Sequence, residues 1–206
     1  MIEVRTVKLS AIRDKEEVLY SEVGRSRRER ASRFIRADDR LRCLAAGTLM
    51  KRCLPGYSEA LYNTGADGKP FLRGGVPFSL SHGGEYIVLA WCEEAEGIGI
   101  DVEPVREMEY YRAILPCFMT PGEIRAVGES AWEAVRVWTR KESLYKCIGE
   151  GITDFRELPE VLEDRVMFGN AMCCLNSWEK DGHMFSVAFR NARQSVKFNV
   201  KPVEIS

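Results

Sequence analysis

The chain has 206 residues, 45% hydrophobic and 30% charged, with a formal net charge of -1. That balance excludes a disordered or collagen-like chain, and the overall field gives no reason to attract nucleic acid or an anionic membrane, so any phosphate recognition must be local. Seven cysteines, odd in number and without paired ligand spacing, argue against a disulfide framework or a zinc site. No apolar run approaches the ~20 residues of a membrane-spanning helix, and the first residues carry no signal-peptide block, so a cytoplasmic protein is expected.

Residues 1–9 alternate apolar and charged side chains as a half-buried strand does. Ser26-Arg27-Arg28-Glu29 has capping-box spacing, and Leu41, Leu44, Ala45, Thr48 and Leu49 predict a helix running from Asp38 to a stop at Pro55-Gly56. The turn formers of residues 63–70 read as loop, whereas residues 76–80, 86–91 and 97–103 read as strands. Thr120-Pro121-Gly122-Glu123 opens a helix that ends near Gly128, and Ser130-Ala131-Trp132-Glu133 opens a longer one broken by Gly149-Glu150-Gly151. Further on, residues 184–189 and the alternating Val196, Phe198 and Val200 read as β structure, separated by turns at Asp181-Gly182 and Asn191. The expected class is α+β, with a division just after Glu103.

In residues 97–103 the strand period puts Ile98, Ile100 and Val102 on one face and Gly97, Gly99, Asp101 and Glu103 on the other. Two carboxylates beside glycines that admit a close ligand suit a hard divalent cation; two surface acids on a solvated strand end give the same pattern. On the helix from Ser130, Val135, Trp138, Glu142 and Tyr145 share a stripe flanked by Lys141 and Lys146. Glu142 either faces a cation or polar cleft, or pairs with Lys146 at the i,i+4 spacing. His82, between Ser81 and Gly83-Gly84, is either a hydrogen-bonded structural histidine or a group beside a phosphate; His183 reads as structural. Arg25, Arg27, Arg28, Arg30, Arg33 and Arg36, continued by Arg42, Lys51 and Arg52, form a solvated basic face or a set of forks for one polyphosphate or phosphoadenosine group.

Four segments occur in a telling order: Gly68-Lys69-Pro70, FSLSH at 78–82, GIGIDVEP at 97–104 and WTRKESLYKCIGEG at 138–151. Together they resemble the 4′-phosphopantetheinyl transferases, specifically the two-halved, surfactin-synthetase-activating type. The resemblance covers roughly residues 25–155; beyond it only the β-rich character matches. It implies two similar α+β halves related by a pseudo-twofold axis, residues 1–104 with the basic helices and the metal strand, and residues 105–206 with the long helix and β-rich end. A monomer with its active site between the halves is implied.

By the same resemblance Asp101, Glu103 and Glu142 would hold Mg²⁺, or Mn²⁺ in its place. Glu142, Lys146 and His82 would be catalytic. Arg27, Arg30, Arg42, Lys69, Pro70, Ser81, His82 and Lys146 would bind coenzyme A, with Lys69-Pro70 at its adenine end. The implied reaction moves phosphopantetheine from coenzyme A to a serine of an apo acyl, peptidyl or polyketide carrier protein and releases 3′,5′-ADP; Glu142 or a metal-bound hydroxide would be the base. Two rivals are a module that binds coenzyme A or another adenosine polyphosphate without transfer, and a Mg²⁺-dependent phosphohydrolase. Residues 105–118, rich in apolar and aromatic side chains, are expected either to contact the carrier or to pack the halves together.

Overall fold

The computed structural model describes residues 1–65, 68–149, 154–190 and 197–205. In chain order, β1 (Ile2–Lys8) is followed by a short 3-10 turn, α1 (Glu16–Glu22), α2 (Arg25–Ala31) and α3 (Ala37–Cys53). A small hairpin, β2 (Tyr62–Thr64) and β3 (Pro70–Leu72), precedes β4 (Phe78–Gly83), β5 (Tyr86–Trp91) and β6 (Gly97–Pro104). Four helices come next, α4 (Met108–Arg112), α5 (Leu115–Phe118), α6 (Pro121–Val127) and α7 (Ala131–Ile148). The chain finishes with β7 (Arg165–Phe168), β8 (Ala171–Lys180), β9 (His183–Arg190) and β10 (Phe198–Pro202).

The α+β class holds. Two four-stranded sheets have the orders β10-β1-β5-β4 and β6-β9-β8-β7, antiparallel except that β10 runs parallel to β1. Strand alternation sorts the side chains into layers. Ile2, Val4, Tyr86 and Val88 of the first sheet meet Ile98, Ile100, Phe185 and Val187 of the second in one buried cluster. On the outer face of the first sheet Val7, Ile87 and Leu89 pack under Leu41, Leu44 and Leu49 of α3. On the outer face of the second, Leu175, Met184 and Ala188 pack under Val137 and Leu144 of α7. The sheets do not follow the expected division at residue 104, because β6 belongs to the second sheet and β10 returns to the first.

The glycines of β6 have a different purpose from the one their sequence context suggests. A Cβ on Gly99 would lie 1.9 Å from the Ser143 carbonyl oxygen and 2.6 Å from the Cys147 amide nitrogen, and one on Gly97 would lie 2.6 Å from the Cys147 carbonyl oxygen. The missing side chains make room for α7, not for a ligand. β6 is an edge strand, and its outer edge is covered by β4: Ser79 Oγ accepts from the Ile100 amide at 3.1 Å, and a Cβ on Gly83 would stand 2.0 Å from the Val102 carbonyl oxygen. Lys146 Nζ donates to the Ile100 carbonyl at 3.3 Å, so side chains satisfy backbone groups that no neighbouring strand reaches.

The helix starts differ from the sequence expectations in instructive ways. α2 begins at Arg25 after Gly24, without the side-chain cap expected at Ser26, and Glu29 pairs instead with Arg25 at 2.7 Å. The box at Thr120 and Glu123 forms in full. Glu123 is also completely buried, 3.1 Å from the equally buried Lys141, and accepts from the Val161 amide at 3.0 Å, so a helix cap doubles as the ionic anchor of α7. At Ser130 only half the box forms, because Glu133 turns to Arg136. Arg140 binds the carbonyls of Val161, Leu162 and Glu163 and the carboxylate of Asp164, holding that segment against α7. The turn expected at residues 149–151 begins at Gly149 with φ +85°, while Glu150, Gly151, Asn191 and Val196 lie outside the described residues.

Gly99→Ala is expected to destabilise the protein by at least ~3 kcal/mol in urea unfolding, because backbone on both elements must move. Gly169→Ala, in open space at φ +56°, should cost only about 1 kcal/mol. Equal losses at the two positions would remove the packing explanation.

Candidate active site

The close seating of α7 on β6 brings four charged side chains together. Asp101 and Glu103 share the face of β6 that carries the glycines, and Glu142 and Lys146 lie one turn apart on α7. Asp101 Oδ1 accepts from Lys146 Nζ and from Ser81 Oγ, each at 2.7 Å, and Lys146 Nζ is 3.2 Å from Ser81 Oγ. Glu142 Oε2 is 3.8 Å from the same ammonium, so the i,i+4 pair expected on the helix exists, but within a polar cleft rather than on an open face.

Three carboxylates against one lysine leave the site short of positive charge. Burial pushes the Glu103 carboxyl up to about 7, with Asp101 and Glu142 adding to the rise and Lys146 and Arg106 opposing it. Glu142 is also raised, first by burial and then by Asp101, against the pull of Lys146. Asp101 is 3% exposed, and its Oδ2 is buried without a hydrogen-bond partner. A buried carboxylate oxygen in that condition is costly unless something binds it. Among the described residues no three His, Cys, Asp or Glu side chains are gathered closely enough to hold a metal ion as they stand. The donor set is nonetheless all oxygen and rich in negative charge, which fits a hard divalent cation that keeps part of its shell as water or phosphate oxygens.

These residues form one wall of a cleft of about 410 Å³. The opposite wall is basic, with Arg27, Arg30 and Arg42 contributed by α2 and α3. Arg27 is 9% exposed and lies over the Tyr62 ring at 5.3 Å. Its stem crosses α3 at Gly47, where a Cβ would come within 3.0 Å of Arg27 Cγ. Arg42 is oriented by Asp39 at 2.9 Å and by the Gly84 carbonyl at 3.0 Å. His82 sits at the cleft rim inside β4, not in a loop before the next strand. Partial burial in the cleft lowers its pKa, and the nearby Arg42 and Lys146 add to the shift, although the side chain keeps an exposed face.

The sequence-derived set is thus brought to one cleft, with one departure. Pro70 lines it, but Lys69 is turned away, donating to the carbonyls of Lys146 and Ile98 where α7 meets β6. The hairpin carrying them replaces much of the expected loop. Tyr62, Phe34 and Asp39 also line the cleft; no spacing pattern pointed to them, since each depends on its neighbours in space. In residues 105–118, Met108, Tyr111, Leu115 and Phe118 join a core cluster drawn from residues 105–188 rather than from both halves, whereas Tyr110 and Ile114 are exposed. They flank a cavity of about 160 Å³ that shares Glu103 and Trp138 with the main cleft. His183 is structural: Nδ1 lies 2.8 Å from the Asp181 carbonyl oxygen, and Nε2 accepts from the Glu85 amide at 3.2 Å.

Residues 97–188, from the start of β6 almost to the end of β9, match the model of the 4′-phosphopantetheinyl transferase superfamily. That stretch, a little under half of the chain, carries the likeness to the superfamily. It is 34% identical over 110 residues to the 4′-phosphopantetheinyl transferase AcpT of Salmonella typhi, covering 50% of this chain and 56% of that one. The 4′-phosphopantetheinyl transferase HetI of a Nostoc species is 28% identical over 144 residues, 63% of this chain and 60% of its own length. The 4′-phosphopantetheinyl transferase gsp of Aneurinibacillus migulanus is 27% identical over 144 residues, 65% and 59% of the two chains. The chain thus spans between half and two thirds of the length of these curated relatives.

A carboxyl whose pKa is raised on folding adds stability below its ordinary value and loses it as pH rises through the folded value. For Glu103 that window runs from about 4.5 to about 7. In metal-free protein, Glu103→Gln should therefore melt higher than wild type at pH 8, the gap closing toward pH 4. A wild type that melts higher at both ends of the range would contradict the burial of that charge.

Proposed function

We propose that this protein transfers the 4′-phosphopantetheine group of coenzyme A to a serine hydroxyl of an apo carrier protein, releasing 3′,5′-ADP. The observation that carries the reading is the partnerless Oδ2 of Asp101, buried beside Lys146, Glu103 and Glu142 and facing a wall of arginines across one cleft. An anionic ligand held by the arginines would bring its own negative charge to the carboxylates, and only a shared cation reconciles the two. The names of the curated relatives support the transfer class.

Asp101, Glu103 and Glu142 would hold a Mg²⁺ ion, which when bound supplies charge neutralisation for the pyrophosphate. Mn²⁺ suits the same oxygens. Arg27, Arg30 and Arg42 would take the 3′-phosphate end of coenzyme A with bidentate forks, Tyr62 holding Arg27 in place. Pro70 would line the adenine end, and Lys69 has a structural role at the edge of β6. Lys146 would move from Asp101 toward a phosphate oxygen, while Ser81 and His82 donate hydrogen bonds beside it. The serine oxygen would attack the β-phosphorus as the bond to the 3′,5′-ADP oxygen breaks, a transfer governed by positioning and charge stabilisation. Glu142 is the chain's own candidate to take the serine proton. No helix among the described residues is long and apolar enough to cross a membrane, consistent with a cytoplasmic site of action.

Intact-mass measurement of an apo carrier protein incubated with this protein, coenzyme A and Mg²⁺ should show one added phosphopantetheinyl group, absent with chelator. Coenzyme A binding without any mass gain would favour the binding module, and release of 3′,5′-ADP without a carrier would favour the hydrolase. Asp101→Asn and Glu142→Gln should each reduce transfer by about 10³-fold or more while leaving the circular dichroism spectrum intact; wild-type rates would overturn the ligand assignment. Gly47→Ala should weaken 3′,5′-ADP binding measured by calorimetry, because the new methyl would stand 2.9 Å from Val23 Cγ1 and 3.0 Å from Arg27 Cγ and press on the stem of Arg27. The same change in an Arg27→Ala background should add nothing, and additive losses would argue against that coupling.

A further inference from the structure

Two hairpin tips, one from each sheet, meet at His183. Residues 84–85 form the two-residue turn between β4 and β5, and residues 181–182 form the one between β8 and β9, as the pairings of Gly83 with Tyr86 and of Lys180 with His183 fix. His183 is 8% exposed and stands edge-on to the Tyr86 ring at 5.1 Å. Its Nε2 accepts from the Glu85 amide at 3.2 Å while Nδ1 faces the Asp181 carbonyl oxygen at 2.8 Å, so the ring proton sits on Nδ1 and each nitrogen has one task. Gly84, at φ +50°, is boxed in against the ring, because a Cβ there would lie 2.3 Å from His183 Nε2.

The amide of Glu85 and the carbonyl of Gly84 belong to one planar peptide. His183 holds its N–H, and Arg42 Nη2 donates to its oxygen at 3.0 Å. The Asp181 carbonyl, the imidazole, this peptide and the Arg42 guanidinium thus make one chain of hydrogen bonds from the second sheet into the cleft, each link polarising the next. The turn has separate anchors, since the Leu9 amide donates to the Glu85 carbonyl at 2.7 Å and the Ser10 amide to Glu85 Oε2 at 3.1 Å. Losing the histidine bond would therefore free the peptide without freeing the turn. We propose that His183 is a positioning residue for Arg42, which it aims at the 3′-phosphate of coenzyme A by holding the Gly84–Glu85 peptide. This rests on the reading above in which the arginines take that phosphate. A long side chain that is already held loses less freedom when it grips a ligand, so the gain falls on binding and not on the transfer step.

Calorimetry with coenzyme A and with dephospho-coenzyme A, which lacks only the 3′-phosphate, tests this on wild type, His183→Asn and His183→Gln. Asparagine keeps a donor near the Asp181 carbonyl but is too short for the Glu85 amide, whereas glutamine can place its amide oxygen where Nε2 stands. His183→Asn is expected to weaken coenzyme A binding roughly fivefold to tenfold and to leave dephospho-coenzyme A within about twofold of wild type, with His183→Gln restoring most of the loss. In transfer assays His183→Asn should raise the KM for coenzyme A by the same factor and keep kcat at saturating coenzyme A. In an Arg42→Ala background it should add nothing. Should His183→Asn fail to fold by circular dichroism, His183→Phe takes its place, since it keeps a ring against Tyr86 and offers no acceptor. Equal weakening of both ligands, or a lower melting temperature at unchanged coenzyme A affinity, would leave His183 a staple between hairpins and overturn the proposal. A wild type that binds the two ligands equally well would also overturn it, whether or not a carrier is modified. Discrimination that is present in wild type and lost in His183→Asn supports the role even where no carrier is modified, an outcome that would overturn only the transfer reading.

Discussion

Everything at the site depends on how closely α7 lies on β6. The helix can approach only because Gly97 and Gly99 present no side chain to it, and at Gly99 even a methyl group would enter the Ser143 carbonyl. That approach puts carboxylates from a strand and a carboxylate and ammonium from a helix within reach of one another. The same ammonium completes the hydrogen bonding of the Ile100 carbonyl on the open side of β6. Lys146 is therefore both a seam of the fold and a charge in the cleft, and Ser79 and Ser81, two residues apart on β4, divide those duties between them.

The electrostatics of that seam work against folding. Glu103 and Glu142 are both pushed toward their neutral forms, and Asp101 keeps one oxygen without a partner. Such a cluster persists when its surroundings hold it firmly. The firmness is visible behind it, where Lys141 and Glu123 form a fully buried pair and Arg140 fastens the segment around Val161 to the helix. Neighbouring residues on α7 thus face opposite tasks, Glu142 and Lys146 toward the cleft and Arg140 and Lys141 toward the core.

Local signals were legible wherever they sufficed to determine structure. The alternation of β1, the box at Thr120 and the long helix after Ser130 appear as their spacing implies, because each is decided by contacts within a few residues. The motif order also led to the cleft residues, apart from Lys69, whose long side chain reaches back to backbone carbonyls in a way no motif encodes. α1 was not evident, since only Leu19 of its seven residues is buried and no helical stripe forms. β7 and β8 were hidden by exposed apolar positions such as Met167 and Met172, which oppose each other on a surface face. The Glu123–Lys141 pair and the Arg27–Tyr62 contact bring together residues far apart in sequence and could only emerge from packing.

The pairing of β10 with β1 has a consequence for how the molecule comes into being. Ile2 stands beside Phe198, and the residues after β10 continue inward until Ile205 joins the core beneath α3. During synthesis the first sheet must wait with one edge unpaired and part of its core unfilled until residues 198–205 have been made. Contacts of such wide separation are slow to form and leave a template for wrong pairing in the interval. The sheet that contains β1 is consequently finished only after β10 is made, and β1 is where a nascent chain of this fold most needs protection from its neighbours.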